Sequence, residues 1–184
     1  MIPAGQFYRS KLQVIRTMLE IIHAESCEAL EQVRILWRRF AELLKIRFPE
    51  YMDQPFFIEY LKNYEEEIAN RLPGRFGPPA GCLLLAEYQG NPVGCVGLMD
   101  LGDKICEMRR LFVREQYRGL GIGKALAKAI IEQGTKMNYA SMRLNTNRRM
   151  MGVDQLYRSL GFVDMEPYEH FEIDGMIFLE LKLK

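Results

Sequence analysis

Between residues 111 and 126 the chain reads LFVREQYRGLGIGKAL, a strand-like run that enters Arg118-Gly119-Leu120-Gly121-Ile122-Gly123-Lys124 and leaves it as a helix. This feature constrains the fold most, because a strand that turns directly into a helix specifies an α/β arrangement with the helix packed back on a sheet. Glycines let the backbone turn tightly and approach a ligand closely. The first amides of the following helix have no intrahelical acceptor, and they carry the positive end of the helix dipole. With Arg118 and Lys124 flanking them, these donors predict an anion site suited to a phosphate or pyrophosphate.

Three phosphate-binding patterns compete for the segment. A P-loop needs G-x-x-x-x-G-K-[ST], but Arg118 stands five before Gly123 and Ala125 follows Lys124. A dinucleotide fingerprint needs G-x-G-x-x-G and an acid about 20 residues later. Here the glycines read G-x-G-x-G, and no acid occurs between Glu132 and Asp154. The third pattern, Q/R-x-x-G-x-G/A, is met by Arg118, Gly121 and Gly123.

Around this turn the periodicities predict a mixed α/β domain of order β-α-α-β-β-β-α-β-α-β-β. A short strand over Met18–Ala24 precedes a helix starting at Ser26, and a second helix covers Phe56 to Arg71. The stretch LPGRFGPPAG (72–81) reads as a mobile loop. Strands are expected over Cys82–Tyr88 and Val93–Leu101, joined by Gln89-Gly90-Asn91-Pro92, and over Ile105–Val113. After the helix at Gly121–Met137 come a strand (Ala140–Leu144), a helix (Met150–Leu160), a short strand (Phe162–Met165) and a last strand (Met176–Leu183). At 184 residues this is one expected domain, with residues 1–17 as a loose leader.

Several function classes are excluded or disfavoured. Cys27, Cys82, Cys95 and Cys106 form no C-x-x-C pair, and only His23 and His170 could join them, so no metal site is expected. They read as small buried hydrophobes, without a visible base partner for covalent catalysis. No apolar run approaches the roughly 20 residues of a membrane-spanning helix. No secretory signal is visible at the N-terminus, and the expected location is cytoplasmic. The net charge of +1 hides a segment, 107–160, with 11 basic and 4 acidic side chains. A near-neutral chain with a basic middle suggests one local anionic ligand rather than a nucleic-acid footprint.

With these blocks in order, the sequence resembles the GNAT superfamily of acyl-CoA-dependent N-acyltransferases. Glu107-Met-Arg-Arg-Leu-Phe-Val113 resembles the family's fourth strand, Arg118–Lys124 its pyrophosphate loop, and Leu156-Tyr157-Arg-Ser-Leu-Gly161-Phe162 its L-Y-x-x-x-G-F signature. The likeness covers about residues 80 to 184. It implies a mostly antiparallel sheet of six to seven strands flanked by helices on both faces. It also implies transfer of acetyl from acetyl-CoA to a primary amine of a small molecule or peptide, by direct attack in a ternary complex. A non-catalytic acyl-CoA-binding module is the alternative, and a homodimer is compatible with either.

The resemblance also assigns roles. The backbone of Leu111, Phe112 and Val113 would pair with the pantetheine arm, and the amides of Arg118, Gly119, Leu120, Gly121, Ile122, Gly123 and Lys124 would hold the pyrophosphate. The Val113 amide would meet the oxyanion. Asn145, with Asn147 as second choice, would bond the pantetheine amides, although the family's usual asparagine position is Met150 here. Tyr157 would protonate the leaving thiolate, since a phenol keeps its proton at neutral pH. Glu107 would take the proton of the acceptor amine; the competing reading pairs it structurally with Arg109, two residues along the same strand face. Phe7, Tyr8, Phe56, Phe57, Tyr60 and Tyr64 are expected to be mostly core, with one or two lining the acceptor pocket.

Overall fold

Ser26 starts the first long helix. Its hydroxyl accepts a hydrogen bond from the Ala29 amide at 3.1 Å, which satisfies a first-turn donor. Helix α1 (Cys27–Arg47) follows, with Leu30, Val33, Leu36, Trp37, Ala41 and Leu44 buried along one stripe. Pro55 opens α2 (Pro55–Asn70) at a position where its missing N–H costs nothing. The computed structural model describes residues 18–150 and 152–184, and the expected leader, 1–17, with Phe7 and Tyr8, lies outside the described residues.

The strands are β1 (Leu19–His23), β2 (Cys82–Tyr88), β3 (Asn91–Gly102), β4 (Ile105–Val113), β5 (Ser141–Asn147), β6 (Val163–Asp164) and β7 (Met176–Lys182). They form one sheet in the order β1-β2-β3-β4-β5-β7-β6. Every pairing is antiparallel except β4 with β5. This is the expected mixed sheet. Helix α3 (Ile122–Lys136) covers one face, where Leu126 and Ile130 pack with Val96, Leu98, Met142 and Leu179. Helices α1 and α2 cover the other, where Trp37, Tyr64, Ile68 and Phe76 pack with Leu85 and Phe112.

Local details depart from the sequence expectations. The β2–β3 turn is two residues, Gln89-Gly90, at φ 54° and 72°, so Asn91 and Pro92 already belong to β3. Two positive φ values match the twist of the paired strands. The expected helix Met150–Leu160 shrinks to α4 (Val153–Arg158). The larger correction concerns 72–81. This segment is tied down at its centre, where Phe76 is 1% exposed and meets the Trp37 ring edge-on at 5.1 Å. Gly97 makes room for it: a Cβ there would lie 2.8 Å from the Phe76 ring. Burial of a whole aromatic side chain anchors the loop that carries it.

Candidate active site

The site begins where two strands part. β4 and β5 pair only through Ile105–Ser141, Cys106–Met142 and Glu107–Arg143. Beyond Glu107, β4 continues along β3 to Val113, while β5 continues along β7 to Asn147. Their facing edges diverge and leave strand backbone open, a ready template for an extended amide-bearing ligand. A bulge lies on this stretch of β4. Gly97 pairs with Arg109 but Cys95 with Phe112, so β4 carries one extra residue, and Arg110 takes φ 57°. The bulge shifts the alternation and puts Arg110 and Phe112 on the same face as Glu107 and Arg109.

Past Val113 the chain enters the glycine turn. Gly121 caps α3 at φ 80°, where an L side chain is strained, and no side chain caps the helix. No acid lies in the first turn. The Arg118 guanidinium folds back, donating Nε to the Val113 carbonyl at 3.0 Å and pairing with Glu115 at 3.5 Å. A groove of about 480 Å³ runs along these elements, lined by Leu111, Phe112, Val113, Arg118, Gly119, Gly121, Ile122, Gly123 and Lys124 among others. Leu120 is not in its wall and packs against the aliphatic core. A pyrophosphate fits this surface: backbone amides, an uncapped helix end with no acid in its first turn, a lysine, and an arginine whose charge is shared with Glu115.

A second cavity, about 350 Å³, shares Phe40, Leu111, Met150 and Val153 with the groove. Tyr157 and Asn145 lie in its wall. The Tyr157 ring packs on Phe162 at 5.7 Å, and burial holds its phenol well above its ordinary pKa, in the proton-bearing form. Asn147 lines the cavity but is spent on structure: its Nδ2 donates to the Asp174 carbonyl at 2.7 Å, and its Oδ1 accepts from the Arg149 amide.

Glu107 sits at the apex of the split and is fully buried. Its carboxylate accepts from the Tyr168 hydroxyl at 2.6 Å, the Arg109 Nε at 2.7 Å and the Asn145 Nδ2 at 3.1 Å. Arg109 also reaches Glu169 at 3.1 Å. Burial works against the Arg109 cation, but the adjacent Glu107 charge and hydrogen bond, with Glu169, more than offset it and raise its pKa. Of the two readings of Glu107, the structural pair with Arg109 is therefore formed, and Glu107 lines neither cavity.

The sequence reading brought Tyr157, Asn145 and the turn to one place but missed part of the wall. Arg109, Arg110, Glu169, His170 and Phe171 line the second cavity, as do the aromatic candidates Phe56, Phe57 and Tyr60; Tyr64 is core. Tyr168, bonded to Glu107, was also missed. The residues 166–172, EPYEHFE, carry no period that places them, and only their density of acids and rings marks them out.

The model of the acetyltransferase (GNAT) family matches residues 37–162. An uncharacterised N-acetyltransferase of Schizosaccharomyces pombe is 36% identical over 141 residues, covering 76% of this chain and 86% of that protein. The N-acetylaspartate synthetase of Rattus norvegicus is 31% identical over 138 residues, covering 74% of this chain and 46% of that protein. Among solved structures, the PaiA N-acetyltransferase of Thermoplasma acidophilum in complex with coenzyme A superposes with a TM-score of 0.68 at 19% identity, covering 89% of this chain and 98% of that one.

Proposed function

The chain belongs to the GNAT family of acetyl-CoA-dependent acetyltransferases, and from that premise we propose that it moves acetyl from acetyl-CoA to a primary amine of a small molecule or peptide by direct attack. The observation that carries this reading is the parting of β4 and β5 beside the uncapped start of α3, with the second cavity opening where the groove ends. The groove takes the co-substrate: the open edge of β4 at Leu111–Val113 pairs with the pantetheine arm, and the Arg118–Lys124 turn holds the pyrophosphate. Asn145 is anchored through its Nδ2 to Glu107, which leaves its Oδ1 to accept from an amide of the arm.

The amine nitrogen attacks the thioester carbon from the second cavity. The developing oxyanion meets a backbone amide of the open β4 edge where the groove joins that cavity, at Leu111 rather than at Val113, which lines the groove alone. The carbon–sulfur bond then breaks, and the sulfur takes its proton from Tyr157. Glu107 acts as a positioning residue: its three donors come from β4, β5 and the segment before β7, so it fixes Arg109, Asn145 and Tyr168 together. The proton of the amine leaves to water. Glu107→Gln should lower kcat on the order of 100-fold, as for a misplaced positioning contact, while leaving the acid limb of the kcat/KM pH profile in place. Loss of that limb would make Glu107 the base.

The direct test is release of free thiol from acetyl-CoA across a panel of amines, amino acids and peptides. Binding of acetyl-CoA with no thiol released from any amine would leave only the binding-module reading.

A further inference from the structure

The second cavity is walled by rings. Phe56, Phe57 and Tyr60 come from α2, Phe48 from the end of α1, and Phe171 and Ile173 from the segment before β7. Phe57 stands at the centre of this wall: it stacks on Tyr60 at 6.2 Å and meets Phe48 and Phe56 edge-on, each at 6.4 Å. These side chains do not close on one another, because about 350 Å³ stays open between them and the split of β4 and β5. Tyr60 keeps 37% of its surface exposed.

The charges on the wall point the same way. Both arginines that line it already meet carboxylates, Arg109 through Glu107 and Glu169 and Arg110 through Glu67, and of their buried nitrogens the Arg110 Nη1 alone lacks a partner among the described residues. An acidic side chain entering this space would lose its hydration and face Glu169 and Glu172 on the same wall, with a single Arg110 nitrogen to meet it. An aromatic group entering it would trade water for rings at favourable edge and stacking distances.

We propose that the acceptor is a primary amine bearing an aromatic or similarly bulky apolar group, which this cavity takes while the amine faces the thioester. The proposal rests on the acetyltransferase reading above and narrows it. It also separates this chain from relatives named for aspartate.

The test compares the α-amides of phenylalanine, alanine and aspartate, together with aspartate itself, as acceptors for the full chain, by thiol release; acetyl-CoA binding is measured separately by calorimetry. The phenylalanine amide should exceed each of the others in kcat/KM on the order of 100-fold, mostly through KM, since a single methylene in an apolar pocket already gives roughly 10- to 200-fold. Phe56→Arg should cut that advantage below about tenfold and leave acetyl-CoA affinity unchanged. If Phe56→Arg lowers the melting temperature, Tyr60→Ser at its partly exposed position serves as second probe, with the same narrowing expected. Aspartate or alanine amide equal to or better than phenylalanine amide would overturn the inference and leave the acetyltransferase reading standing. Acetyl-CoA binding with no thiol release from any of the four would overturn the inference, and the same silence across the whole amine panel would overturn the acetyltransferase reading as well.

Discussion

On one face of the sheet α3 lies over aliphatic side chains, and its first turn is presented bare to the groove. On the other face α1 and α2 lie over rings, and a guanidinium is buried among them: Arg110 stands 4.0 Å from the Tyr64 ring centre and 4.6 Å from that of Trp37, and it bonds Glu67. The first face works through backbone, through amides and a left-handed glycine. The second works through side chains gathered from α1, α2, β4 and the segment before β7. A backbone device needs only a short local pattern and tolerates change around it, whereas a side-chain device depends on every element that supplies a wall.

The comparison is tested most strongly at Tyr157, where the two sides meet. Tyr157→Phe keeps the ring and removes the hydroxyl, so turnover on the best acceptor should fall about 100- to 10,000-fold with acetyl-CoA affinity little changed. Activity within threefold of wild type, in a variant of equal melting temperature, would mean that Tyr157 only packs.

Next is the buried pair on the aromatic face. Arg110→Met should destabilise the fold by about 3 kcal/mol in denaturant unfolding, the lower end for stranding one partner of a buried ion pair, because Arg75 still meets Glu67. The pair also has a pH signature. Burial pushes the Glu67 carboxyl up, but the Arg110 and Arg75 guanidiniums outweigh it and hold its pKa below the usual 4.5. A lowered folded-state pKa stabilises above the unfolded value, so this contribution is complete above about pH 4.5 and is lost as pH falls toward the folded value. Arg110→Met should flatten stability across that window; an unchanged acid slope would show the pair to be inert.

On the backbone side, Gly121→Val should raise the apparent constant for acetyl-CoA by about tenfold, since φ 80° strains a β-branched residue at the turn. Gly123 differs, because a Cβ there meets only ordinary contacts with Val113 and Leu156. Gly123→Ala should therefore fold normally and change affinity less. If both variants weaken binding equally, the turn's conformation is not what matters and a direct clash is.

The smallest expected effect is at the thiols. Burial pushes Cys82 up to about 11 and Cys106 up to about 12, and Cys95 higher still. At neutral pH an alkylating reagent should modify only the exposed Cys27 and leave turnover intact. Incubation with radiolabelled acetyl-CoA should leave no label on the denatured protein. Stable thioester label on Cys106 would replace direct transfer with a covalent route.

What was legible in advance follows the same division. The groove could be read because its parts lie within one short stretch: a strand, three glycines at fixed offsets and a helix start, each set by local dihedral and hydrogen-bonding demands. The order of strands and helices could be read for the same reason, since period and turn residues act over a few positions. The bulge at Arg110 could not, because it is a mismatch between two strands and leaves no mark on either one. Phe76 sat in a loop-like run of Pro and Gly, and distant residues make it core, Trp37 39 residues earlier and Gly97 on the sheet. Glu107 offered two readings, and Tyr168, 61 residues later, together with Asn145 favoured the structural one by occupying its oxygens. Local chemistry along the chain determined the backbone devices and the family's motifs. Which side chains share a wall, and which charges are already spent, was decided only when distant segments packed, because those contacts are relations between elements rather than properties of any one of them.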